Sequence, residues 1–117
     1  AGNLDQQSQL TQIAASNLSS RINQYKFNKN KTTIKTYVAK TGEDNVGVYT
    51  KNLIFDSEKI MRLAKEMREE ANAQPTVASK LGTMSNADEQ EEVALSKQIE
   101  ALTNLERASQ SAISSQY

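Results

Sequence analysis

A long amphipathic segment at the end of the chain constrains the fold most. From about residue 87 to residue 114, apolar side chains recur every three or four positions, which places them on one face of an α-helix. The apolar positions are Leu95, Ile99, Leu102, Leu105, Ala108 and Ala112. A helix over 87–115 is about 40 Å long, which is longer than a small globule needs. We therefore expect a helical bundle or a helix–helix contact with a partner.

The first part of the chain contains a second such segment, over residues 3–25. Apolar residues recur at steps of three or four, which predicts a helix with one apolar face: Leu10, Ile13 and Ala14, Leu18, Ile22 and Tyr25. Ser and Asn residues occupy the opposite face, and they are mediocre helix formers because their side chains compete for backbone hydrogen bonds. We therefore expect this helix to depend on tertiary contacts.

A further helix is predicted over residues 57–74. It follows the most apolar triplet of the chain, and Asp56 or Ser57 can cap its first turn by accepting hydrogen bonds from backbone N–H groups. Pro75 is the only proline. It is expected to end this helix near Ala73, because the residue before a proline avoids helical geometry.

Residues 32–50 have a different pattern. β-branched and aromatic residues alternate over 32–39 and again over 46–50, and turn-forming residues around Gly42 separate the two runs. This pattern predicts a β-hairpin. Because a lone two-stranded hairpin is marginal in water, it must pack on the helices or pair with a neighbouring sheet.

Residues 75–85 contain one glycine and are interpreted as a linker with room for a short helical turn. After it, Asn86 and Glu89 have the spacing of a capping box at the start of the last helix. Residues 1–117 are thus predicted to form a single, mainly α-helical domain. It is a bundle of about three helices, with a long C-terminal helix and a small central β-hairpin as an appendage.

Apolar residues are scarce for such a bundle. Hydrophobic residues make up 37% of the chain and the mean hydropathy is −0.67, whereas average globular domains are roughly 45–50% apolar. We therefore expect a small core, with further burial supplied by a protein partner or by a second copy of the chain. The residues predicted to bind that partner are Leu95, Ile99, Leu102 and Leu105 of the last helix, and Leu10, Leu18 and Ile22 of the first.

The chain contains no histidine, cysteine or tryptophan. Histidine and cysteine side chains perform most nucleophilic, redox and soft-metal chemistry in proteins, so their absence counts against such chemistry as the role of this chain. The acidic clusters at 66–70 and 88–92 are interpreted as solvated helix faces and helix N-terminal charge. A carboxylate metal site of the bundle type also needs histidine. We predict no catalytic residue, no cofactor and no metal, and a protein that is not an enzyme.

Charge is unevenly distributed, although the net charge is zero. Residues 1–55 carry four more basic than acidic residues, and residues 56–117 carry four more acidic than basic ones. The two halves can attract each other within one molecule or head to tail between molecules. Basic and aromatic side chains also alternate in residues 21–40, as in binders of single-stranded nucleic acid. The residues of this alternative site are Lys26, Lys29, Lys31, Lys35 and Tyr37.

The leading hypothesis is a structural or assembly subunit, such as a component of a secretion apparatus, a pilus or a virus particle. One alternative is the nucleic-acid-binding module, against which the near-neutral pI of 6.6 counts. Another is a secretion chaperone or adaptor that presents the hairpin edge to a client by strand addition. No run of apolar residues is long enough to span a bilayer. The polar, aromatic-poor composition favours an extracytoplasmic, secreted or particle-borne location.

Overall fold

The protein is an elongated bundle of three α-helices. A computed structural model describes residues 2–42 and 46–114, with side chains within 5–42 and 46–111. The helices are α1 (Gly2–Thr41), α2 (Val48–Asn72) and α3 (Val77–Ser114), and the molecule measures 69 × 20 × 16 Å. Helix α3 packs against both other helices. The mainly α-helical bundle predicted from the sequence is therefore confirmed.

Helix α3 is the central helix of the bundle, and its buried residues follow a seven-residue repeat. They are spaced alternately by three and four positions: Met84, Ala87, Glu91, Ala94, Gln98, Ala101 and Leu105. This average spacing of 3.5 residues is that of coiled coils, in which such positions face a partner helix along the whole length. On α1 the buried residues Ser20, Phe27 and Ile34 repeat every seven positions, and on α2 the buried residues from Thr50 to Ala64 recur at steps of three or four.

Small side chains fill much of the core. Among the side chains that the structure describes, five alanines, two on α2 and three on α3, have no exposed surface: Ala64, Ala71, Ala87, Ala94 and Ala101. Larger apolar side chains form two clusters, one around Phe27 and Met61 and one around Ile34 and Leu105. Small residues at the contact bring helix axes close together, which explains how a chain with few large apolar residues packs three long helices.

The predicted β-hairpin over residues 32–50 is wrong. Residues 32–41 continue α1, residues 48–50 begin α2, and no strand occurs within 2–42 or 46–114. Residues 43–45, at the tip of the predicted hairpin, lie outside the described residues. With no strand edge in the part of the chain that is described, strand addition to a client has no structural basis there.

The β-branched run is compatible with a helix because its hydroxyl groups find hydrogen-bond acceptors within the helix. The hydroxyl groups of Thr32, Thr33 and Thr36 each donate to the carbonyl oxygen four residues earlier, at 3.0–3.1 Å, a bond available to threonine in helices. Ile34 is also buried against Leu105 of α3. An alternating pattern and a helical pattern both fit this stretch, and packing on α3 favours the helix.

The helix boundaries differ from those predicted. Helix α1 extends 16 residues beyond the predicted end at 25, to Thr41. Helix α2 begins at Val48 rather than 57, and Ser57 is a buried mid-helix residue whose hydroxyl donates to the carbonyl oxygen of Ile54 at 2.7 Å. The predicted end of this helix before Pro75 is confirmed, since α2 ends at Asn72.

The linker predicted over 75–85 is mostly helical, because α3 begins at Val77. Its first turn is capped by Thr76, whose hydroxyl oxygen accepts from the backbone N–H of Ser79 at 3.1 Å. The Ser79 hydroxyl lies 3.4 Å from the backbone nitrogen of Thr76, which completes a capping box. The capping box predicted at Asn86 and Glu89 is therefore wrong, since both residues lie inside α3.

Candidate functional site

Helix α1 has two faces of unexpected character. Phe27 and Ile34 are buried and lie seven residues apart, and because α1 is uninterrupted they fix which side of the whole helix faces inward. Continuing the repeat towards the N-terminus turns Ser16 and Ser20 inward, and both are buried. In this part of α1 the polar side faces the bundle and the apolar side faces outward.

The outward side carries an exposed apolar surface, which we call the outer stripe of α1: Leu18, Ile22 and Tyr25. Their exposed fractions are 57%, 47% and 68%. Leu10, at the edge of the stripe, is 50% exposed. The spacing of four and three residues places the members of the stripe next to one another on the helix surface. Adjoining apolar residues mark an interaction site more clearly than exposed apolar residues scattered elsewhere, such as Leu63 on α2.

Opposite the outer stripe lies a buried ionic group, which we call the three-helix network. Arg68 of α2 forms ion pairs with two carboxylates of α3, and three polar side chains of α1 complete it. The members are Ser16, Ser20, Asn23, Arg68, Asp88 and Glu91. Glu91 has no exposed side-chain surface, and Arg68 is 14% exposed.

The carboxylate of Glu91 is satisfied from both neighbouring helices. Arg68 donates to it from Nη2 to Oε1 at 2.8 Å and from Nε to Oε2 at 3.1 Å. The Ser20 hydroxyl donates to Oε2 at 2.7 Å, and the Asn23 amide reaches Oε1 at 3.4 Å. Such a bidentate arginine–carboxylate pair fixes the relative orientation of the two side chains.

The pKa of Glu91 is lowered from its ordinary value. Burial acts to raise the pKa, but the hydrogen bonds from Arg68 and Ser20 and the charge of Arg68 outweigh it. The pKa of Arg68 is raised, because its bonds to Glu91 and Asp88 outweigh the opposing effect of burial. Both groups are therefore ionised, and the network, in which one guanidinium bridges the carboxylates of Glu91 and Asp88, holds the three helices together.

A second polar contact lies about two turns further along α3. The buried side chain of Gln98 donates to the backbone carbonyl of Phe27 at 3.2 Å, and its oxygen lies 3.4 Å from the amide nitrogen of Asn30. The sequence analysis missed both polar layers. The signal that identifies them is the seven-residue spacing from Glu91 through Gln98 to Leu105, with alanines between them.

The partner-binding residues predicted on the last helix fall into two groups. Leu105 is buried beside Ile34, and Leu95 and Leu102 are half-buried in the two apolar clusters. These three side chains pack within the protein's own bundle. Ile99 is 59% exposed, and the outward face of α3 around it is mostly polar. Of the predicted set, Leu10, Leu18, Ile22 and Ile99 are available to a partner.

The residues predicted to bind nucleic acid do not form one surface. Lys29 and Lys31 point about 160° apart around the helix axis, given roughly 100° per residue. Lys26 lies near Lys29, whereas Lys35 lies near Lys31. Tyr37 is half-buried against the Ile34 cluster. The structure thus divides the basic side chains between two sides of α1 and uses the aromatic ring in packing.

A groove of about 490 Å³ runs between α1 and α2. Phe27 and Met61 form its apolar part, and both are already buried. Lys31 pairs across it with Glu58 at 3.5 Å. The groove therefore offers little uncovered apolar surface for a ligand, and it is less suited to binding than the outer stripe.

Comparison with known proteins finds no matching family model, no matching curated protein and no matching solved structure. Among the described residues, no helix has an apolar stretch long enough to cross a membrane. Within 2–42 and 46–114, no three acidic, histidine or cysteine side chains come together as a metal site would require.

Proposed function

We propose that the protein is a non-enzymatic structural subunit that assembles through the outer stripe of α1. The observation that carries the proposal is the inversion of α1, whose exposed side bears Leu18, Ile22 and Tyr25 while its buried side bears Ser16 and Ser20. A helix that only served its own bundle would place these apolar residues inward.

The outer stripe supplies only part of the free energy that association needs, because joining two molecules costs roughly 4–15 kcal/mol in lost translational and rotational freedom. Covering the exposed half of Leu18, Ile22 or Tyr25 contributes about 1 kcal/mol each, taking half of the roughly 1.5–3 kcal/mol gained by burying a large apolar side chain. The network on the opposite side supports the proposal, because it anchors α1 to the bundle and leaves the outer stripe presented on a rigid rod.

We propose a secretion apparatus, a pilus or a virus particle as the kind of assembly to which the subunit belongs, since such assemblies are built from repeated small subunits. The absence of histidine and cysteine from the chain supports a non-enzymatic role. The rod-like shape, 69 Å long and 20 Å wide, supports lateral contacts along helices.

The test replaces the apolar character of the outer stripe and measures the state of association. We expect the unaltered protein to sediment faster as its concentration rises, and the variant Leu18→Gln/Ile22→Gln to remain a monomer. Leu63→Gln is the matched control, since Leu63 is a similarly exposed apolar residue on α2, and it should associate like the parent. Identical sedimentation of parent and stripe variant at every concentration would reject the proposal.

A further inference from the structure

We infer that the outer stripe of α1 docks on the outward face of α3 in a second copy of this chain, so that subunits join head to tail. This inference rests on the proposed function and names the partner of the same surface. The receiving face is defined by Val93, Ser96 and Ile99, which point away from the bundle.

The shape of the receiving face suits a branched apolar side chain. Val93 and Ile99 are 42% and 59% exposed, and the small Ser96 lies midway between them. Val93, Ser96, Lys97 and Glu100 have the i, i+3, i+4, i+7 spacing of a hole in knobs-into-holes packing. Together with Glu92 they line a shallow depression of about 380 Å³. Leu18 or Ile22 of another copy is a knob of suitable size.

The charges around the two surfaces are complementary. The outer stripe is bordered by the exposed basic residues Arg21, Lys26 and Lys29, and residues 6–41 contain no acid. The receiving face is bordered by the exposed acidic residues Glu89, Glu92 and Glu100, which outnumber the single basic residue in its depression, Lys97. Within the described part of the chain, none of these six forms an ion pair, and Glu100 accepts a hydrogen bond from the Tyr49 hydroxyl at 2.8 Å. Opposite charges at an interface guide orientation and speed encounter.

The same charges disfavour the pairing of identical surfaces. Two outer stripes brought together would place Arg21 and its neighbouring lysines against those of the second copy, and two receiving faces would place Glu92 against like charge. A contact between two different surfaces of one chain leaves an unused surface at each end. Such a contact continues into a ring or a filament rather than closing as a dimer.

The test uses two variants, each blocked on one surface by neutral residues. Leu18→Gln/Ile22→Gln blocks the stripe, and Val93→Gln/Ile99→Gln blocks the receiving face. Each variant alone should be a monomer in sedimentation velocity. Mixed in equal amounts, they should form a complex of two chains and nothing larger, because only one complementary pair of surfaces remains. Far-UV circular dichroism checks that both retain the parental helicity.

Each other outcome overturns the inference, and the outcomes separate it from the proposed function. If the receiving-face variant associates like the parent while the stripe variant does not, the stripe has a different partner surface and only the inference fails. A mixture that stays monomeric also rejects the inference alone. If the parent is monomeric at all concentrations, both the inference and the proposed function fail.

Discussion

Replacing Arg68 with methionine should destabilise the protein strongly, because the change leaves Glu91 without its counter-charge. Glu91 has no exposed side-chain surface and loses both hydrogen bonds from Arg68, keeping only Ser20 and Asn23 as partners. Breaking a buried ion pair by removing one partner costs about 3–5 kcal/mol. This is a large fraction of the roughly 5–15 kcal/mol by which domains are stable.

The pH dependence of stability should also change sign. In the parent the pKa of Glu91 lies below its ordinary value of 4.5. Its contribution to the free energy of unfolding is therefore complete above about pH 4.5 and is lost as the pH falls through the lowered pKa. In Arg68→Met, burial without the arginine raises the Glu91 pKa. The variant should therefore gain stability as the pH falls from 7 towards 5.

Urea unfolding followed by circular dichroism at pH 7 and pH 5 measures both effects. Arg62→Met is the matched control, since it removes one exposed positive charge from the same helix and should change stability by less than about 0.5 kcal/mol. The double variant Arg68→Met/Glu91→Met should recover most of the loss, because no buried charge remains at Glu91. A loss below about 1 kcal/mol for Arg68→Met would refute this account of the network.

Two further substitutions test the packing and the turn. Ala64→Leu should lower the free energy of unfolding by about 1–3 kcal/mol through overpacking, because Ala64 is wholly buried. Ala78→Leu, on the exposed side of α3, is the control and should leave stability unchanged. Equal melting temperatures for the two variants would contradict the close packing. Gly42→Ala should cost about 1–2 kcal/mol, because Gly42 has φ of +78°, and Gly47→Ala, at a φ of −57°, should not. Chemical denaturation measures this pair, and an unchanged midpoint for Gly42→Ala would show that the turn is not strained.

The helical class and the apolar face of α1 could be predicted from local spacing, but the orientation of that face could not. Periodicity shows that Leu18, Ile22 and Tyr25 share one side of a helix. It does not show whether that side faces the bundle. The orientation of α1 is set by the burial of Phe27 and Ile34 further along the helix. It therefore depends on α1 continuing past residue 25, where the helix was predicted to end.

The buried charges could not be predicted from local patterns, because their partners are distant in the chain. Glu91 lies in a cluster of acids that resembles a solvated helix start, and only the arginine 23 residues earlier and the serine 71 residues earlier explain its burial. The β-hairpin was predicted for a related reason. Alternating β-branched residues favour strands, while the contact of Ile34 with Leu105 that stabilises the helix is not visible in the alternation.

The three kinds of contact between α1 and α3 have a consequence for how the helices align. Along the bundle, the Ser20 hydroxyl donates to the carboxylate of Glu91, and the backbone carbonyl of Phe27 accepts from the amide of Gln98. Further along, Ile34 packs against the hydrocarbon side chain of Leu105. Sliding one helix past the other by a single heptad would set Phe27 against Glu91 and Ile34 against Gln98. Repetitive rods tolerate such shifts when every layer is alike. Here each layer has its own chemistry, so only one alignment satisfies all three.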